Sequence, residues 1–155
     1  MTHPAVGTDA PDFTATIDDG SALTLSSLRG KPVVMFFYPK DDTSGCTKEA
    51  CGFQDAMPRL KTSAHVIGVS PDPVKSHVKF KEKYGLKYPL VADVDHAVCE
   101  AYGTWGEKSM YGRKYFGVLR TTFVIDAKGR IAHVFEKVKP EGHAAEVEAV
   151  LASLK

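Results

Sequence analysis

The chain predicts an α/β fold, a mixed central sheet with helices on both faces, and three observations carry that prediction. Pro32–Tyr38 is a nearly continuous apolar run, rich in β-branched and aromatic residues, as expected of a strand buried on both faces. Strand-like segments alternate with segments of helical period through the middle of the chain. Near the end, two strand-like runs flank Ala127-Lys128-Gly129, and an apolar stripe at helical spacing follows them.

Taken in order, two short β-like segments open the chain, around Phe13–Ile17 and Leu23–Leu25, with the turn Asp18-Asp19-Gly20 between them. The buried strand Pro32–Tyr38 ends at Pro39. Asp41-Asp42-Thr43-Ser44-Gly45 supplies several helix N-cap candidates. A helix follows from about Cys46, with Ala50, Phe53, Met57 and Leu60 on one side and Pro58 placed to kink or end it. His65–Ser70 reads as a second core strand. Pro71-Asp72-Pro73 introduces a helix to about Tyr84, then a short strand near Tyr88–Val91 and a short helix over His96–Tyr102. Residues 103–117 hold four glycines without a clear period, and a loop is expected there. Val118–Asp126 and Arg130–Glu136 form the hairpin. The last helix runs from about Gly142 to the end, with Ala145, Val147, Val150, Leu151 and Leu154 as its apolar stripe.

Length and composition fit this plan. At 155 residues, 43% hydrophobic and 25% charged, the chain suits one soluble domain spanning 1–155. There is no internal repeat or linker-like tract. Twenty basic residues nearly balance 19 acidic ones, so neither nucleic acid nor a membrane surface is the expected partner. No apolar run approaches the ~20 residues that span a bilayer. The opening residues show no basic start or apolar stretch of a secretory signal, so the expected compartment is the cytoplasm. Stable disulfides are rare there, and three cysteines cannot pair completely. Cys46 and Cys51 are therefore expected to be catalytic, redox-active or metal-binding. Cys99, within Ala97-Val98-Cys99, is expected to be a buried small hydrophobe. The six histidines show no metal-ligand spacing, and most are expected at the surface.

The segment from Phe36 to Cys51 carries the chemistry. A buried strand delivers the chain to a loop, and the loop hands Cys46 to the first turn of a helix. The first N–H groups of a helix lack internal partners, and the aligned peptide dipoles add positive potential there. A thiolate in that place is stabilised, and the thiolate is the nucleophile.

Pro39-x-x-x-Thr43-x-x-Cys46 resembles the active-site motif of the peroxiredoxins. The longer Tyr-Pro-Lys-Asp-Asp-Thr-x-Gly-Cys-Thr-x-Glu-Ala-Cys is similar to the bacterioferritin comigratory protein (Bcp, PrxQ) branch in particular. Val6-Gly7-x-x-Ala10-Pro11-Asp12-Phe13 and Arg120–Asp126 resemble two further blocks of that branch, in order and at about the right spacing. The resemblance implies a thioredoxin-like fold with extra N-terminal strands, and a peroxidase needing no cofactor and no metal. It implies Cys46 as the attacking thiolate, oxidised to a sulfenic acid. Thr43 would align the peroxide, Pro39 would shield the site, and Arg120, oriented by Glu49, would supply fixed positive charge. Cys51 matches the resolving cysteine of members with Cys-x-x-x-x-Cys, which form an intramolecular disulfide. A thioredoxin-like protein would reduce it, and the protein would work as a monomer on hydrogen peroxide or small alkyl hydroperoxides. The chain departs from the branch at Ser44, where many relatives have proline, and at Gln54, where arginine is common.

Geometry adds a condition to that pairing. Residues five apart on an intact helix sit ~140° around the axis and ~8–9 Å apart between Cα atoms. A disulfide needs less than ~7 Å. The helix must unwind locally before Cys46 and Cys51 can bond. Two other functions compete. A thioredoxin-type thiol–disulfide oxidoreductase shares the strand–loop–helix cysteine but wants Cys-x-x-Cys, and a zinc module of Cys46, Cys51, Cys99 and His96 lacks paired short spacings. A chaperone role in large assemblies has no support in the chain.

Overall fold

A computed structural model describes residues 3–154; residues 1, 2 and 155 lie outside the described residues, and with them the final residue of the segment expected to be the last helix. Five strands form the central sheet, in the order β5-β4-β3-β8-β9. β3 (Val33–Phe37), β4 (His65–Ser70) and β5 (Leu90–Ala92) run parallel, while β8 (Thr121–Ile125) lies antiparallel to β3 and β9 (Ile131–Phe135) antiparallel to β8. β3 is central and all five of its residues are buried, which accounts for its unbroken apolar character. Its side chains alternate between two cores. Val34 and Phe36 join the residues of α1 (Ser44–Leu60), Phe80 of α2 (Val74–Tyr84) and Val147 and Leu151 of α4 (His143–Ser153). Val33, Met35 and Phe37 join Val98 and Cys99 of α3 (Ala97–Ala101), together with Ala10 and Leu25 of the N-terminal segment. This is the thioredoxin-like arrangement, and β1 (Thr14–Thr16) pairs antiparallel with β2 (Ala22–Thr24) as the expected N-terminal addition. Single bridges, Asp9 to Arg130 and Ile17 to Val91, tie that addition to the sheet.

Gly68 on β4 shows how tightly the α1 face is packed. A Cβ there would stand 2.8 Å from the Leu90 side chain and 3.0 Å from the Phe36 ring. Phe36 itself stacks on Phe53 of α1 with ring centroids 4.7 Å apart. The aromatic stack fixes α1 on the sheet, and with it the position of everything at the helix start.

Several expectations are corrected. Residues 103–117 are not a loop: β6 (Trp105–Met110) and β7 (Arg113–Val118) form an antiparallel hairpin, turning at Tyr111 and Gly112, both at positive φ. The hairpin stands apart from the central sheet and residues 113–116 are exposed, so burial imposes no alternating apolar pattern on it. Val118 therefore belongs to β7, and β8 starts only at Thr121. Pro58 does not end α1, which runs on to Leu60. A proline in the last turn forfeits one backbone bond, and burial of Leu60 holds the turn in place. On α4 the buried positions are His143, Val147 and Leu151, whereas Ala145 and Leu154 are exposed. The histidines are not mostly at the surface. His77 and His143 are wholly buried, and His143 Nε2 lies 2.8 Å from Thr122 Oγ1.

Candidate active site

Cys46 is the third residue of α1, and Thr43 stands at the N-cap with extended backbone. The first helical bond runs from the Thr47 amide to the Thr43 carbonyl at 2.8 Å. The Thr43 side chain does not cap the helix. It is exposed, and its hydroxyl donates to the Lys40 carbonyl at 2.9 Å. Pro39, half-buried, closes β3 and starts the turn that leads there.

The Cys46 side chain is 1% exposed, and one guanidinium nitrogen of Arg120 donates to its sulfur at 3.2 Å. The other terminal nitrogen of Arg120 donates to Glu49 Oε1 at 2.8 Å. Three predicted residues separated by 74 positions in the chain are thus brought into one contact chain, Cys46–Arg120–Glu49. Arg120 sits in the short link between β7 and β8, and its carbonyl accepts from the Val138 amide at 3.1 Å. Gly45 makes room for it, because a Cβ at that position would stand 3.3 Å from the Arg120 Nη2 nitrogen.

Charge in this pocket is finely set. Burial raises the Glu49 carboxyl to a pKa of about 7, against the opposing pull of Arg120. Its second oxygen, Oε2, is buried without a hydrogen-bond partner. Burial alone would depress Arg120, but Glu49 and Cys46 together hold it above its ordinary value. Lys108 of β6 is a neighbour that sequence did not single out. It donates to the Val118 carbonyl at 2.9 Å, and burial together with Arg120 lowers its pKa while Cys46 acts in the opposite sense. The base of the unexpected hairpin therefore borders the site. No period or motif marks Lys108 in the sequence.

Cys51 lies on the same helix, half-buried, and all three cysteines are free thiols. Burial, and then Asp55, raise the Cys51 thiol. Cys99 is fully buried, and burial followed by Asp93 pushes its pKa far up, which suits an inert core residue. The competing zinc reading finds no support: among the described residues, the one cluster with metal-ligand spacing is Asp41, Asp72 and His77, which includes no cysteine.

A family model described as the AhpC/TSA family matches residues 6–134. Among curated proteins, a putative peroxiredoxin Bcp of Coxiella burnetii is 52% identical over 143 residues, 92% of this chain and 95% of that one. The Escherichia coli K12 peroxiredoxin Bcp is 44% identical over 138 residues, 88% of each chain. Among solved structures, a cysteine-to-serine variant of Xylella fastidiosa PrxQ superposes with a TM-score of 0.93 at 35% identity, covering 99% of this chain and 98% of that one. The Xanthomonas campestris bacterioferritin comigratory protein, solved as a trapped intermediate/ligand complex in work on its alkyl peroxide reduction activity, gives 0.90 at 37% identity, covering 97% and 100%. With a cysteine at a helix start, an arginine on its sulfur and these relatives over nearly its full length, the chain belongs to the AhpC/TSA family, among the Bcp/PrxQ peroxiredoxins, which are thiol-dependent peroxidases.

Proposed function

We propose that Cys46 is the peroxidatic cysteine and Cys51 the resolving cysteine of an atypical two-cysteine peroxidase. The observation that carries this is the 3.2 Å contact from Arg120 to the Cys46 sulfur at the first turn of α1. The Cys46 thiolate attacks one peroxide oxygen, the O–O bond breaks, and the leaving oxygen departs as hydroxide or alkoxide and takes up a proton. The sulfur becomes a sulfenic acid. Arg120 offsets negative charge on sulfur and on the leaving oxygen, and Glu49 orients Arg120. Thr43 exchanges its bond to Lys40 for one to the peroxide, and Pro39 limits water around the sulfur.

The first turns of α1 then unwind. Cys51 attacks the sulfenic sulfur, water leaves, and an intramolecular disulfide remains. A thioredoxin-like dithiol reduces it by exchange. Hydrogen peroxide and small organic hydroperoxides are the substrates, no metal or prosthetic group takes part, and a monomer in the reducing cytoplasm suffices because both thiols lie on one chain. No helix among the described residues is long and apolar enough to cross a membrane.

Stopped-flow fluorescence of Trp105, with parallel quenched samples mapped by mass spectrometry, tests this scheme. Trp105 stacks on His96 with centroids 3.8 Å apart, so small shifts in that region alter its environment. Peroxide should give a Cys46–Cys51 disulfide in the native protein, no reaction in Cys46→Ser, and a sulfenic acid that persists in Cys51→Ser. If Cys46 reacts no faster than a free cysteine, the scheme fails.

A further inference from the structure

Asp41 belongs to the loop that leads to Cys46, yet its carboxylate is turned into the protein and nearly saturated. Oδ1 accepts from the Tyr38 hydroxyl at 2.7 Å. Oδ2 accepts from the Ser76 hydroxyl at 2.8 Å and lies 2.7 Å from His77 Nδ1. The Asp41 amide donates to Asp72 Oδ2 at 2.8 Å, and the same oxygen accepts from the Ser70 hydroxyl at 2.6 Å. His77 is fully buried, and its other nitrogen, Nε2, lies 2.9 Å from the Val91 carbonyl. Both ring nitrogens face acceptors. These bonds also argue against a metal at Asp41, Asp72 and His77, because their facing atoms already have partners.

The same loop has a second anchor. Asp42, at φ 58°, accepts from Lys83 Nζ at 2.8 Å and from the Tyr84 hydroxyl at 2.6 Å. Residues at both ends of α2 therefore grip Asp41 and Asp42, and the next residue is Thr43. A non-glycine residue in the left-handed region persists only where its surroundings hold it.

We propose that Asp41 and His77 are positioning residues for peroxide reduction: through their buried contact they lock the loop carrying Thr43 at the distance from Cys46 that aligns the peroxide. This rests on the assignment of Cys46 and Thr43 given above. It gives a physical role to the aspartates in Tyr38-Pro39-Lys40-Asp41-Asp42-Thr43, neither of which faces the sulfur.

The imidazole can be divided to test it. In His77→Asn the amide nitrogen replaces Nδ1 and can keep the bond to Asp41. In His77→Gln it replaces Nε2 and can keep only the bond to Val91. The second-order rate constant of Cys46 with hydrogen peroxide is measured by stopped flow for both variants, beside alkylation of Cys46 by iodoacetamide, which needs the thiolate but not Thr43. The expected result is a loss of about 10- to 100-fold with peroxide in His77→Gln, the size of a misplaced aligning group. His77→Asn should lose much less, and alkylation should be unchanged in both. Ser76→Ala removes one donor to the same carboxylate oxygen from a half-buried site, and should show the same split at smaller size if the His77 variants fold poorly. Equal losses in His77→Asn and His77→Gln, a parallel fall in alkylation, or no change in peroxide rate overturns the proposal. Failure of the native protein to react with peroxide would instead overturn the assignment of Cys46 itself.

Discussion

At Glu49 one carboxylate oxygen is bonded to Arg120 and the other has no hydrogen-bond partner among the described residues, and burial of the carboxyl makes the residue sensitive to pH. The group's ordinary value is 4.5 and its folded value about 7, so between those limits the unfolded chain gives up the proton that the folded chain keeps. Stability from this group is fully present below pH 4.5, falls as pH rises towards 7, and is flat above. The loss is at most about 3 kcal/mol, from the size of the shift. Urea titrations at pH 5 and pH 7.5 should show a larger fall in unfolding free energy for the native protein than for Glu49→Gln. An equal fall in both would mean that Glu49 ionises freely in the fold. Much of this site was legible in the sequence. Cys46, Glu49 and Arg120 lie in blocks whose residue types are set by chemistry, and chemistry tolerates little substitution. Lys108 and His77 were not legible, because their roles depend on where an unrecognised hairpin and a buried helix face come to rest.

In the proposed cycle helix α1 is the element that must change, whole for attack by Cys46 and unwound for its resolution by Cys51. Within the stretch between the cysteines it is tied to the rest of the protein at Glu49, and again at Ala50, whose carbonyl accepts from the buried Tyr88 hydroxyl at 2.7 Å. One turn further on, the Lys87 amide donates to Gln54 Oε1 at 2.6 Å. Tyr88→Phe removes the tie at Ala50 without changing the ring's packing. A neutral hydrogen bond contributes about 1 kcal/mol, so unwinding should become roughly five-fold easier. Mass spectrometry at high peroxide should then find less Cys46 sulfinic acid and more disulfide than in the native protein. An unchanged partition would show that Tyr88 does not restrain the helix. Elements whose packing repeats along the chain, such as β3, β4 and α1, were read correctly from their periods. β6 and β7 were not, because exposed Arg113–Phe116 carry no core-facing pattern and Tyr111-Gly112 is a weak turn signal beside Asn-Gly or Asp-Gly.

For the molecule as a whole, the disulfide form should be the less stable of the two. Closing a ring from Cys46 to Cys51 restricts the unfolded chain by only about 2 kcal/mol, because the loop is so short. Against this, unwinding removes the Arg120 contact to the Cys46 sulfur, exposes a side chain that is 1% accessible, and loosens the Tyr88 bond and the Glu49–Arg120 pair. Each loss costs on the order of 1–3 kcal/mol, so their sum exceeds what the cross-link returns. The lower part of α1 adds to this, since Phe53, Ala56 and Leu60 share a core with Val147 and Leu151 of α4, and a strained upper helix pulls on that packing. A fold that is more stable reduced than oxidised makes its disulfide easy to reduce, as a recycled peroxidase requires. Calorimetry should therefore give a lower melting temperature for peroxide-treated protein than for dithiothreitol-treated protein. Cys51→Ser, which cannot close the ring, should not reach that lower value after one equivalent of peroxide. A disulfide form that melts higher would mean that the bond stabilises the fold, and a helix that cycles between two states would then lose its thermodynamic basis.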